Sequence, residues 1–151
     1  MSVQRRAKSR VEVVAGRPPS DRYIGEALAL AKTDDLPDEV RARVVPGFCR
    51  NAIEAACAAR IRRRMIEAGT PHAQVEEALE TKTSLNTWLA DLFELSTAQG
   101  EQIREHLRRL GGADAIEVVR LAQKGTHQLV LTDGITLVNS AKALVKAIEA
   151  G

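Results

Sequence analysis

Apolar residues recur at every fourth position from Cys49 through Ile53, Cys57 and Ile61 to Met65, with Ala52, Ala56 and Ala59 beside them. That spacing lays one stripe along an α-helix and does not suit a strand, whose faces alternate at every second residue. It predicts a long amphipathic helix over residues 48–68, ended by Gly69, as the centre of the domain.

Shorter helices are predicted around it. Tyr23, Ala27, Leu28 and Ala31 recur at helical spacing after Pro19-Ser20-Asp21, with Ser20 as candidate N-cap. Thr33 or Asp34 restarts the chain, and Pro37 fits the first turn of a second short helix. Pro46-Gly47 is expected to break or kink that helix. Thr70-Pro71 opens a helix carrying Val75, Ala78 and Leu79. Ser84 caps one with Leu85, Trp88, Leu89, Leu92 and Phe93 inward. Residues 96–110 read as a charged helix whose buried positions are Ile103, Leu107 and Leu110. Gly111-Gly112 reads as a breaker before a helix over 113–124, with Ile116, Val119 and Leu121 inward. An alanine-rich helix over about 136–150 closes the chain. Val11, Val13 and Val14 allow a short N-terminal strand. Gln128 to Leu131 reads as loop or minor strand, since an isolated strand has little to pair with. The expectation is an all-α bundle of six or seven helices over residues 20–151, preceded by a flexible basic lead over 1–19.

Composition supports helix-on-helix packing. Hydrophobic residues make up 44% of the 151 positions but aromatics only 3%, so Ala, Leu, Ile and Val must build the core. The length suits one domain. No run approaches the roughly 20 apolar residues of a membrane span, and the basic start lacks a signal-peptide core, so a cytoplasmic protein is expected.

The formal charge of +2 gives no global pull toward nucleic acid. Two local clusters, Arg5/Arg6/Lys8/Arg10 and Arg60/Arg62/Arg63/Arg64, could meet phosphate or be solvated faces. Cys49 and Cys57 lie two turns apart on one predicted helix, about 12 Å and beyond disulfide reach. They read as core thiols, and with no clustered histidines no metal site is expected. No nucleophile elbow or phosphate-binding loop is present. Asp34, Asp35, Asp38 and Glu39 crowd a helix start, where carboxylates suit the positive end of the dipole. No cofactor is indicated.

His72 and His106 are expected on exposed helical surface. His127 lies just past Gly125, a glycine able to end the preceding helix, where it can fold back toward Arg120 or Gln123. Such a pair suits phosphodiester chemistry: histidine moves protons near neutrality, and arginine holds the phosphate and its added charge. The residues equally allow His127 to cap the helix while Arg120 pairs with Glu117 or another nearby acid.

The stretch Pro46-Gly47-Phe48-Cys49-Arg50-Asn51-Ala52-Ile53-Glu54-Ala55-Ala56, a helical middle, and Gln123-Lys124-Gly125-Thr126-His127 resemble the HEPN-like helical domains. The resemblance is nearest to those at the C-terminal ends of bacterial SMC-like or AAA-type ATPases, some of them associated with phage defence. It spans residues 20–150 in order of elements. It implies a dimerising bundle. In active members it implies a metal-independent ribonuclease whose arginine and histidine, separated by four to six residues, meet across two subunits. Arg120 and His127 match that spacing at its upper limit. Leu121 departs from the polar residue usual after the arginine. On this resemblance Arg120 positions phosphate, His127 is the general acid or base, Arg50 and Gln123 orient the site, and Lys124 contacts the backbone of RNA. Related domains without activity serve as dimerisation or docking modules, which implies an ATPase partner on another chain. A third expectation, a small helical DNA-binding protein, uses Arg62, Arg63 and their neighbours against phosphates, but no helix-turn-helix spacing accompanies them.

Overall fold

The computed structural model describes residues 18–124 and 134–151. Among them are six helices and no strand: α1 Pro19–Lys32, α2 Asp38–Glu67, α3 His72–Glu80, α4 Leu85–Leu92, α5 Gly100–Lys124 and α6 Gly134–Ala150. The chain is all-α, as its periodicity predicts. The expected strand at 11–14, the segment 128–131 and His127 lie outside the described residues.

Helix α2 is the axis of the bundle and packs most extensively against α1 and α6. Its buried stripe is Val45, Pro46, Cys49, Ala52, Ile53, Ala56, Cys57 and Ile61. Ala59 is exposed and Met65 half-buried, so the stripe ends sooner than the spacing suggests. A second correction concerns Pro46-Gly47, which does not break the helix: α2 is continuous through it from Asp38. A mid-helix proline costs about 3 kcal/mol and a glycine about 1. The helix persists because Val45 and Pro46 are both buried, so burial offsets the local penalty.

Arg41 ties the α1–α2 turn. Its guanidinium donates to the Thr33 carbonyl, to the Leu36 carbonyl at 3.0 Å and to the Asp38 carboxylate at 3.0 Å. Ser20 is not the cap of α1. It lies within the helix, fully buried, and its hydroxyl donates to Glu149 at 2.6 Å. A Cβ added at Gly134 would stand 3.3 Å from that of Ala31. Together these contacts set α6 antiparallel to α1. Arg60 of α2 then donates to the Ile148 carbonyl at 2.8 Å, satisfying a backbone acceptor in the last turn of α6.

Two helix ends share one backbone solution. After α2, Gly69 adopts φ +83 and the amides of Gly69 and Thr70 reach back to Ile66 and Met65. After α4, Glu94 does the same at φ 56, with its amide and that of Leu95 bonded to Asp91 and Ala90. Only the first is marked by a glycine. Ser84 caps α4 as expected, in a reciprocal box with Thr87. The fifth helix starts at Gly100 rather than Ser96. At Gly112 it kinks, with φ 74 and ψ −163. Beyond the kink Ala115, Val118, Val119, Leu121 and Ala122 are buried, while Ile116 is only half-buried.

Both cysteines are core residues. Burial pushes the Cys49 thiol up to about 12, and burial together with the Glu54 and Asp91 charges raises Cys57 as well. A thiol reagent at pH 8 should therefore label neither until the chain is unfolded; labelling of the native protein would contradict this packing. The two positive-φ sites should respond oppositely in denaturant titrations. Gly112→Ala is expected to lower stability and Glu94→Gly to raise it, each by about 1 kcal/mol.

Candidate nucleic-acid interface

The second half of α5 is amphipathic, and this places Arg120. Leu121 and Ala122 turn into the core and fix the helix, while Glu117, Arg120 and Gln123 lie on its solvent side. The apolar residue after the arginine is thus an anchor of the helix. Arg120 is held in a two-pronged pair with Glu117: Nε donates to one carboxylate oxygen at 3.1 Å and Nη2 to the other at 2.5 Å. Hydrogen bonding and charge from Arg120 hold the Glu117 carboxyl below its ordinary range, and Glu117 correspondingly raises Arg120. The pair's stabilisation is therefore present above the ordinary glutamate pKa and fades as pH falls through the lowered one. Both groups are solvated, so that contribution is slight.

Gln123 donates to the Asn86 side chain at 2.5 Å, joining the end of α5 to α4. Arg50 lies on α2 and donates through Nε to Glu54 at 2.9 Å. It lines an open concavity of about 400 Å³ with Arg43, Val44, Gly47, Phe48, Asn51 and its own partner Glu54. Arg43 and Gly47 carry no signal in the helical periodicity, because both lie off the buried stripe. Their readable mark is a glycine with arginines four residues before and three after.

The Arg60–Arg64 run is largely occupied in holding helices together. Arg60 caps α6. Arg62 pairs with Glu76 of α3 at 2.5 Å, and Arg64 pairs with Asp91 of α4 at 2.8 Å. Lys82 meets the same Asp91 at 2.7 Å and lies 5.7 Å from the Trp88 ring centre. Arg63 alone of the four is exposed. His72 is exposed as expected. His106 is half-buried instead, its ring 5.0 Å from that of Phe93 and its Nδ1 2.9 Å from the Gln102 carbonyl.

Among the described residues no group of three His, Cys, Asp or Glu side chains could hold a metal, and no helix is long and apolar enough to cross a membrane. What the fold and this surface define is an all-α bundle domain with a solvent-facing arginine near the end of a late helix. No protein family, curated protein or solved structure matches the chain.

Asp91 joins two cations from different elements, so Asp91→Ala should destabilise the domain by about 1 kcal/mol in a denaturant titration. Arg63→Ala should leave stability within about 0.5 kcal/mol of the parent. Equal effects would refute this division of roles.

Proposed function

We propose that this chain is an HEPN-like, nucleic-acid-associated domain acting as a metal-independent endoribonuclease, of the kind found in defence or toxin systems. The observation that supports the reading is the placement of Arg120 and Gln123 on the solvent side of the last turns of α5, on a backbone anchored by Leu121 and Ala122. His127 follows three residues after Lys124, the last residue of that helix.

In this reading the Arg120 guanidinium exchanges the Glu117 carboxylate for a non-bridging phosphate oxygen and stabilises the charge that gathers there. His127 moves the proton at the ribose 2′-hydroxyl or at the 5′ leaving oxygen. The 2′ oxygen attacks phosphorus as the bond to the 5′ oxygen breaks. One strand keeps a 2′,3′-cyclic phosphate and the other a 5′-hydroxyl. In a homodimer two such centres supply one group as base and its counterpart as acid. Lys124 contributes charge to the strand backbone.

The Glu117–Arg120 fork favours a second reading, in which Arg120 is a surface ion-pair residue and the domain is a non-catalytic dimerisation or docking module for an SMC-like or AAA-type ATPase. A module that docks through an apolar face has little to offer among the described residues, where Ile66 is the one exposed large hydrophobic side chain.

The test is incubation of the purified protein with mixed RNA in chelator. Cleavage with cyclic phosphate ends is expected, abolished by His127→Ala at unchanged helical content; no cleavage by a dimeric parent, or cleavage surviving that substitution, sinks the ribonuclease reading. Glu117→Gln, which removes the competing carboxylate, should tighten RNA binding about threefold at pH 7, and lowering the pH through the depressed Glu117 range should do likewise in the parent.

A further inference from the structure

The geometry points to a second phosphate-contacting surface, on the first half of α2, where Arg43 and Arg50 flank the bare backbone at Gly47 and hold a single RNA strand. It takes the identity of its ligand from the nucleic-acid reading above but needs neither Arg120 nor His127.

Three observations converge there. First, Gly47 has no packing reason to be glycine. It is exposed within a continuous helix, and a Cβ added to it would meet nothing within 4 Å. A mid-helix glycine weakens the helix relative to alanine, so the residue is a local loss with no return inside the fold. What it leaves is a stretch of helix with no side chain, where another backbone can come close. Second, the flanking cations are available. Arg43 makes no hydrogen bond or ion pair among the described residues. Arg50 engages Glu54 only through Nε, which leaves both of its Nη groups for a ligand. This contrasts with Arg41, Arg60, Arg62 and Arg64, each of which is committed to another part of the bundle. Third, the surroundings suit a strand with its bases unpaired. The same concavity of about 400 Å³ is lined by the half-buried Phe48 ring and the exposed Asn51 amide. A ring gives a base something to lie against, and an amide both donates and accepts.

Spacing agrees. Residues 43 and 50 are two turns apart on one face, roughly 10 Å along the axis. Two flexible side chains of that length can converge on neighbouring phosphates across the glycine. Glu54 lines the Arg50 end of the same concavity and holds that guanidinium through Nε, about two turns along the helix from Gly47.

The test is binding of a fluorescein-labelled, mixed-sequence RNA oligonucleotide by the full chain in chelator, read by anisotropy in a His127→Ala background so that the probe survives. Replacing Arg43 and Arg50 together by Gln should weaken binding roughly tenfold and lower the slope of log K against log salt by about 1.4, as for two lost single-strand phosphate contacts. Gly47→Leu should weaken binding to a similar degree while the melting temperature stays level or rises, because leucine favours helix more than glycine does. That combination cannot come from misfolding. Lys142→Gln with Lys146→Gln, two exposed cations of α6, serves as control and should change affinity less than twofold. Unchanged binding in both the arginine pair and Gly47→Leu would overturn this surface and leave the ribonuclease reading standing. A parent that binds, with the expected losses, yet does not cleave when His127 is present would uphold the surface and end the ribonuclease reading. Absence of any binding by the parent would overturn both.

Discussion

The bundle depends on how closely other helices can approach α2. The buried stripe of α2, the helix on which α1 and α6 pack most extensively, sets the small Cys49, Ala52, Ala56 and Cys57 beside Ile53 and Ile61, all of them without solvent exposure. Small side chains allow helices to approach closely, and Ile24 of α1 with Leu137, Val138, Leu144, Val145 and Ile148 of α6 belongs to the same buried core. With two phenylalanines, one tryptophan and one tyrosine in the whole chain, no large ring is available to wedge helices apart. Cohesion rests on many modest aliphatic contacts, and these leave no room for a charge. Hence ionised groups collect at helix ends and turns, where they do the joining.

That division explains which parts of the structure can be read from residues alone. Helical class, the central position of the stripe from Cys49 to Ile61, the Ser84 cap, the Gly69 terminus and the break at Gly112 all follow from local rules that the fold respects. The errors share a cause, which is tertiary burial overriding a local preference. Pro46-Gly47 is a breaker by propensity, yet Val45 and Pro46 are both buried and α2 continues through them. Ser20 has the chemistry of a cap, yet Glu149, 129 residues away in sequence, takes its hydroxyl. Of the candidate site, the exposed setting of Arg120 and the burial of Leu121 follow from the amphipathic pattern of residues 115–122. The partner of Gln123 does not, because Asn86 lies on a helix whose placement is a property of the assembled bundle.

The arginines sort into two populations by what faces them. Those on α2 that meet acids or carbonyls of α3, α4, α6 or the α1–α2 turn hold elements in register, and replacing them alters packing before it alters any ligand. Arg43, Arg63 and the outer edge of Arg50 meet solvent. A net charge near neutrality therefore conceals an uneven distribution, since Glu76 and Asp91 are taken up between helices by arginines of α2. On α2, what remains for partners is a short list of guanidinium edges. Their placement, more than their number, decides what can bind.

The kink at Gly112 divides α5 so that only twelve residues, Ala113 to Lys124, carry Arg120. A helix that short is barely populated in water by itself. It persists because Ala115, Val118, Val119, Leu121 and Ala122 are seated in the core, and the glycine uncouples it from the charged half that precedes it. The order of assembly follows: this segment forms when it docks and not before. In amide hydrogen exchange it should behave as its own cooperative unit, opening below the global unfolding free energy. A ligand held by Arg120 would then also clamp that unit shut, so occupancy of the surface and closure of the helix beneath it become a single equilibrium.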